Sequence, residues 1–388
     1  MERPNTRFEG LRSFDIDKVA AAAGEDPDVL RMENLDTDLA PPPAAVEATR
    51  AAVGEARGNS WLPFTGLPEL RAAIAADLER RSGRRYDPGA EVVVTSGGTS
   101  GVLPALFAVS EPGDTVVLTD PTYAGLLQRT RLAGARPHLV PLVPDAAGWR
   151  LDRDALRAAE AARPAALVLM SPSMPSGCVL DEDDWTAVAE LCERTGAALV
   201  YDAAMERILY DGSPRLHPCR FDGLAERTLI IGSMSKEYRM IGWRIGYVAG
   251  PRPLLARVAQ AVIYNTTVAS GFAQLGAVAA LTDPAGGGVA EAAAEYRRRH
   301  DTVLAQLAGL PVVPAGGGWS CLVDARPLGL TAPDLSARLL AHGRVAATPM
   351  TAWGERVAPH YVRLVYSREP VERLAGLRAR FDAAIKGA

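Results

Sequence analysis

The sequence predicts an α/β fold, with a large domain built on a mostly parallel sheet between helices and a smaller α+β domain formed from both chain ends. Short apolar runs alternate with helix-like stretches from about Leu67 onward, which is the pattern of parallel strands covered on both faces. The breaker cluster Asp283-Pro284-Ala285-Gly286-Gly287-Gly288 ends that alternation and marks a boundary or hinge. Beyond it, a long helical stretch and two strand-like runs follow a different order.

Taken along the chain, residues 1–55 lack the alternation, and the run Pro41-Pro42-Pro43 argues against regular structure there. This arm is expected to join the C-terminal unit. Pro68 to Arg81 carries apolar residues at helical spacing, Val92 to Thr95 is β-branched, and Gly101 to Val109 is again helical in pattern. Further strands are expected at Thr115–Leu118, Ala166–Met170, Ala198–Tyr201, Thr228–Ile231 and Ile245–Val248. The large domain is therefore placed at 56–284. The smaller unit, 285–388, opens with a helix over Val289–Leu307 and carries strands near Ser320–Val323 and Val362–Tyr366.

Composition narrows the function classes. The 388 residues suffice for a large α/β domain with a smaller companion, and the net charge is only −4, from 42 basic and 46 acidic residues. No dense Lys/Arg cluster appears, so nucleic acid is not an expected partner. The four cysteines, Cys178, Cys192, Cys219 and Cys321, lack CxxC spacing, against a zinc site or a disulfide framework and in favour of a reducing cytoplasm. The N-terminus has no apolar signal core, and no run of about eighteen apolar residues occurs. A soluble, cytoplasmic protein without membrane contact or internal repeats is expected.

The chemistry centres on Ser233-Met234-Ser235-Lys236-Glu237-Tyr238-Arg239-Met240-Ile241-Gly242-Trp243-Arg244. A lone lysine is ordinarily a solvated surface group. Lys236, however, follows the apolar run Leu229-Ile230-Ile231-Gly232 and so lies at a strand end, where open α/β sheets bind ligands. Ser233, Ser235 and Arg244 offer hydroxyls and a fixed cation suited to a phosphate dianion. Gly97-Gly98-Thr99-Ser100 opens a helix after a strand, where backbone N–H groups can hold a phosphate, although such a turn can equally be structural. Asp202 ends a strand as a carboxylate that needs a partner or serves as a helix cap. Tyr123 is either an aromatic plate or ordinary packing, and Arg363 either an anion ligand or a structural ion pair. A lysine amine, an acid, a phosphate cradle and an aromatic plate together are what pyridoxal 5'-phosphate requires. The lysine makes a Schiff base, and the acid keeps the pyridine nitrogen protonated so that the ring becomes an electron sink.

With S-x-S-K followed eight residues on by arginine, the chain resembles the fold-type I pyridoxal-phosphate enzymes of the class I/II aminotransferase family from about Leu35 to Tyr366. The resemblance implies that Lys236 is the cofactor-linked lysine and proton shuttle, with Ser233, Ser235 and Arg244 at the phosphate. It puts Gly98 and Thr99 on the phosphate turn, Tyr123 on the cofactor ring, Asp202 at the pyridine nitrogen and Arg363 on the substrate α-carboxylate. It further implies a seven-stranded central sheet and a homodimer with shared active sites. No metal is implied.

Some positions depart from the family. Ser171-Pro172-Ser173-Met174-Pro175-Ser176-Gly177 carries Met174 where an asparagine donates to the cofactor's phenolic oxygen. Asp202-Ala203-Ala204-Met205 carries Met205 where a tyrosine does the same. A thioether accepts only weakly, so both donors are missing. Trp61 stands where a tyrosine reaches the partner subunit's phosphate, its indole N–H still able to donate. Glu33-Asn34-Leu35-Asp36-Thr37-Asp38 lacks the glycine common near the substrate carboxylate. An inactive site sits badly with the intact lysine, acid and arginines. The leading reading is an aminotransferase acting between an L-amino acid and a 2-oxo acid. The alternative is a non-transaminating enzyme of the same fold, performing β- or γ-elimination, replacement or cyclisation on an amino acid such as S-adenosylmethionine. A cofactor-dependent DNA-binding regulator is disfavoured by the acidic balance and by the lack of a DNA-binding pattern before Leu35.

Overall fold

The computed structural model describes residues 8, 10–13, 15–210 and 215–386. In chain order its strands are β1 (Leu30–Arg31), β2 (Val92–Thr95), β3 (Thr115–Asp120), β4 (Arg136–Asp145), β5 (Gly148–Leu151), β6 (Ala166–Met170) and β7 (Ala198–Asp202). They continue as β8 (Thr228–Ser233), β9 (Gly246–Ala249), β10 (Val312–Val313), β11 (Ser320–Asp324), β12 (Val345–Ala346), β13 (Thr348–Pro349) and β14 (Tyr361–Val365).

The large sheet has the order β2-β9-β8-β7-β6-β3-β4-β5. Neighbours from β8 through β7, β6 and β3 to β4 are parallel, whereas β9 runs antiparallel to β8 and β2. β2, β6 and β9 are buried at every residue, as expected of strands covered on both faces. Alternate residues feed two cores. Val93 packs with Val102, Leu106 and Val258 of helices Gly98–Val109 and Arg252–Asn265. Val92 and Val94 belong to the other core, with Leu70, Ile74 and Leu78 of helix Pro68–Ser82.

Each strand expected in the sequence is present to within a residue or two. The hairpin of β4 and β5 was not expected; Pro137, Pro141 and Pro144 interrupt its first strand. They are tolerated because β4 lies near the sheet's edge, bonded to β3 on one side and to β5 only from Leu142 onward. β5 brings the sheet to eight strands, one more than the implied seven.

The N-terminal arm requires a correction. It contains helix Asp15–Ala23, β1 and helix Pro43–Gly54. The proline run does not exclude regular structure, because Pro43 sits in the first turn of its helix, where an N–H would have no intrahelical partner in any case. β1 pairs in parallel with β12, joining the arm to the C-terminal part of the chain. The smaller sheet, β10-β11-β14-β13, is antiparallel throughout. Its β14 places Arg363 beside Leu322 and Thr348.

Asp120 ties this unit to the large sheet. At the end of β3, its Oδ2 accepts from the N–H groups of Glu355, Arg356 and Val357 at 3.0, 2.7 and 3.1 Å, and its Oδ1 from Ala358 at 3.0 Å. The backbone of Thr122 donates to Trp353 O at 2.8 Å. The loop after β3 and the loop after β13 are thus held together where Tyr123 and Trp353 meet. Among the described residues no helix is long and apolar enough to cross a membrane.

Candidate active site

A cavity of about 220 Å³ opens at the C-terminal ends of the parallel strands, the position where such sheets bind ligands. Gly98 and Thr99 reach it after β2, Tyr123 after β3, and Met174 after β6. Asp202 and Met205 come from the end of β7, and Ser233, Ser235, Lys236 and Arg244 from β8 and the loop beyond it. The structure therefore gathers residues scattered over nearly 150 positions of sequence into one wall.

One corner is built for an anion. Gly97, at φ +85°, lies so close to Arg244 that a Cβ there would collide with the guanidinium. Gly98 begins helix Gly98–Val109, which has no side-chain cap, so its first N–H groups and the positive end of its dipole face outward. A Cβ on Gly98 would come within 3.1 Å of Ser233 Cβ. Arg244, itself at φ +55°, donates from Nη1 to Ser235 Oγ at 3.2 Å and to Ile241 O at 2.9 Å. The Ser235 N–H donates to Ser233 Oγ at 3.1 Å. No carboxylate pairs with Arg244 among the described residues. A glycine cradle, an uncapped helix start, hydroxyls and an unpaired guanidinium fit a phosphate group.

Lys236 lies in the cavity wall with Nζ donating to Leu35 O at 2.9 Å and standing 4.5 Å above the Trp319 ring. Burial, with Arg363 and Arg244 adding repulsion, brings its ammonium pKa down to about 7, against a smaller opposing pull from Asp36 and Asp202. The amine is consequently available as a nucleophile near neutral pH. The loop that carries it is pinned from behind, where Glu237 accepts from the Arg207 N–H at 2.8 Å and from its Nε at 2.7 Å. Arg81 binds Glu206 at 2.5 Å and Tyr247 at 2.6 Å in the same buried layer.

Asp202 is 5 % exposed. Burial raises its carboxyl to about 6, opposed by the Ala204 N–H at 3.0 Å and by Lys236. A carboxylate so placed gains from any cationic N–H set against it. Tyr123 packs edge-on to Trp353 with centroids 5.6 Å apart, and burial pushes its hydroxyl upward.

Arg363 borders the cavity rather than lining it. It is fully buried, donates from Nη2 to Glu33 O and, at 3.4 Å, to Thr348 Oγ1, and stands 4.5 Å from the Trp353 ring centroid. Nη1 lies 4.0 Å from Met174 Sδ, and Nε has no partner. Burial lowers its pKa, with Tyr123 and Glu33 opposing only in part. No carboxylate pairs with it among the described residues, so the structural ion pair considered from sequence is not formed.

Trp61 is not brought into this cavity. It is 75 % exposed and packs edge-on to Phe64 at 5.1 Å. Met174 and Met205 are both buried in the wall. Sequence reasoning missed Met170 and Leu35 in the lining, and Trp319 and Trp353 beside Lys236 and Arg363. Trp319 follows Gly316-Gly317-Gly318, a hint of close backbone approach. A stronger signal is lysine usage, for the chain has only Lys18, Lys236 and Lys386. The first and last of these are exposed. Among the described residues no group of three or more His, Cys, Asp or Glu could hold a metal ion.

Comparison with known proteins meets this geometry. The family model for aminotransferase class I and II matches residues 29–377. The chain belongs to this family. It is 35% identical over 358 residues to a probable N-succinyldiaminopimelate aminotransferase of Mycobacterium tuberculosis, covering 87% of this chain and 90% of the relative. It is 33% identical over 386 residues to the aspartate/prephenate aminotransferase of Thermus thermophilus, covering 97% and 95%. The solved N-succinyldiaminopimelate aminotransferase from Mycobacterium tuberculosis superimposes with a TM-score of 0.91 at 32% identity, over 98% of this chain and 100% of that one. The Thermus thermophilus aspartate aminotransferase with maleate gives 0.89 at 29% identity, over 99% and 100%. Membership in this enzyme family supports the leading sequence reading over a DNA-binding regulator.

Proposed function

We propose that the protein is a pyridoxal-phosphate-dependent aminotransferase that moves an amino group between an L-amino acid and a 2-oxo acid. The observation that carries this reading is the charge arrangement. Lys236 and Arg244 line one cavity and Arg363 borders it, none with a carboxylate ion pair among the described residues, and a buried acid, Asp202, shares the lining. Such a site calls for two anionic groups and one cationic ring nitrogen.

Bound pyridoxal phosphate supplies an electron sink that acidifies the Cα–H bond of an attached amino acid. Everything else falls to this chain. Lys236 Nζ would be the attachment point for the cofactor's aldehyde, and its amine the base that moves a proton at the substrate Cα. Asp202 holds the proton on the pyridine nitrogen. The start of helix Gly98–Val109, Ser233, Ser235 and Arg244 hold the phosphate, Thr99 adds its hydroxyl, and Tyr123 stacks on the ring. Arg363 would hold the substrate α-carboxylate, giving up its contact to the Glu33 carbonyl. Met174 and Met205 face the phenolic oxygen without a hydrogen to give.

The reading extends to a cytoplasmic, biosynthetic homodimer in which the exposed Trp61 reaches the partner subunit's phosphate, and to the domain division 1–55, 56–284 and 285–388. The two methionines also favour a second reading, a lyase, replacement or cyclisation reaction on an amino acid such as S-adenosylmethionine, because they alter the cofactor's electronics while leaving the lysine in place. Mass spectrometry of products from a panel of amino acids, with and without a 2-oxo acid, separates the two. Amino-group transfer that requires the 2-oxo acid supports the first. Product formation without it overturns the first in favour of the second.

A further inference from the structure

A carboxylate held by Arg363 needs the guanidinium fixed in one plane, and the polar contacts of that group do not fix it. Among the described residues Nη2 donates to Glu33 O and, at 3.4 Å, to Thr348 Oγ1, Nη1 has Met174 Sδ at 4.0 Å, and Nε has no partner. Held at one corner, the fork can still turn about it. Its face, however, is covered by the Trp353 ring, whose centroid lies 4.5 Å from Cζ. The same fully buried indole meets Tyr123 edge-on, with centroids 5.6 Å apart and planes at 63°. One side chain therefore touches both the arginine assigned to the carboxylate and the aromatic assigned to the cofactor ring. The indole has its own anchorage. The Trp353 N–H donates to Met350 O at 3.1 Å, and its carbonyl accepts from the Thr122 N–H at 2.8 Å. The N–H groups that follow Gly354, from Glu355 to Ala358, close on the buried Asp120 carboxylate. A Cβ on Gly354 would run into that carboxylate, so glycine is what lets the loop wind round it.

We propose that Trp353 is a positioning residue, holding Arg363 in the plane that meets the substrate α-carboxylate. The proposal rests on the aminotransferase reading, which gives Arg363 that carboxylate. Burial works against the guanidinium charge, so the cation needs a partner. A carboxylate would supply one but would occupy the N–H groups that the substrate needs, because those donors lie in the guanidinium plane. An aromatic face attracts the cation from above the plane and leaves the donors free. That attraction is largest where water is excluded, as it is here. Contact with Tyr123 ties the same plane to the side chain that stacks on the cofactor ring, so carboxylate and ring are set relative to one another.

The test uses the holoenzyme carrying Trp353→Leu, Trp353→Phe or Trp353→pentafluorophenylalanine, the last shaped like phenylalanine with the sign of its ring face reversed. Calorimetry follows binding of the unreactive acids propanoate, 4-methylpentanoate and glutarate, each of which offers Arg363 a carboxylate. The cofactor's absorbance gives cofactor affinity, and steady-state kinetics with the fastest donor of an amino-acid panel separates KM from kcat. Trp353→Leu and the pentafluoro variant should weaken acid binding and raise KM by about 10-fold or more. Cofactor affinity should stay within about 3-fold, and kcat should fall by less than KM rises. Trp353→Phe keeps a ring face and should remain within about 3-fold of the parent. In the Arg363→Met background, Trp353→Leu should change kcat/KM by less than about 3-fold, because its effect passes through the arginine. Equal behaviour of the phenylalanine and pentafluoro variants, or an equal loss from Trp353→Leu with and without Arg363, overturns the proposal and leaves the aminotransferase reading intact. Acid binding lost in the pentafluoro variant and kept in Trp353→Phe, in a protein that transfers no amino group from any donor, overturns that reading and supports the coupling of Trp353 to Arg363.

Discussion

Replacing Arg363 by methionine removes the charge and the donors while keeping an unbranched stem that suits neighbours such as Met174 and Trp353. The magnitude follows from the geometry. The guanidinium is fully buried, and its Nε has no partner. Among the described residues its oxygen acceptors are Glu33 O and, at 3.4 Å, Thr348 Oγ1. An incoming carboxylate can therefore take two charge-assisted hydrogen bonds, each worth about 1.5–3 kcal/mol. With methionine both are lost, and the carboxylate is left poorly paired, for a total of roughly 3–5 kcal/mol. That corresponds to a fall in kcat/KM of roughly 10²- to 4 × 10³-fold. Arg363→Lys keeps a charge but not the bidentate fork, so its loss should be smaller, on the order of 10-fold. Steady-state kinetics across donor concentrations and an absorbance measurement of cofactor affinity are the assays. The reasoning is refuted if Arg363→Met keeps kcat/KM within about 3-fold of the parent, well below one lost bond. It is equally refuted if cofactor affinity falls as far as substrate affinity.

The same geometry makes further predictions. Asp202→Asn should retain cofactor but lose most turnover, because a neutral amide cannot hold the pyridinium proton; near-normal turnover would remove that role. In the apoprotein, the rate of pyridoxal phosphate loading should rise with pH and level off above about 7, the value to which burial brings Lys236. The sign follows from the neutral amine being the nucleophile, and Arg363→Met, which removes a repelling cation, should move the midpoint upward. A midpoint in the ordinary lysine range would contradict the burial argument. Met205→Tyr restores a donor to the phenolic oxygen, so the cofactor chromophore of the resting variant should titrate at lower pH than the parent. Equal or higher values would mean that another group already serves that oxygen.

Much of this was legible because parallel strands buried on both faces read as continuous apolar runs, and their C-terminal ends carried the residues of the cavity. Lys236 stood out by its strand-end position, and its partners Ser233, Ser235 and Arg244 by spacing. β4 escaped notice because three prolines near a sheet edge look like a break. Helix Pro43–Gly54 escaped because a proline triplet reads the same whether it ends structure or supplies the first turn of a helix. Trp319 and Trp353 could not be placed from sequence. Trp319 meets Lys236 across more than 80 positions, and only the junction of the two sheets brings them together. Arg363 was recognisable by resemblance, but its orphaned Nε and the Glu33 carbonyl on Nη2 belong to tertiary structure.

The central claim is that Lys236 carries the cofactor. The chain has only three lysines, with Lys18 and Lys386 on the surface, which makes the measurement unambiguous. Borohydride reduction of the holoenzyme followed by peptide mapping should place the pyridoxyl group on the peptide that spans Ser233 to Arg239, at Lys236, with one equivalent bound per chain. Recovery of the group on Lys18 or Lys386, or full retention of a reducible adduct in Lys236→Ala, would contradict the account.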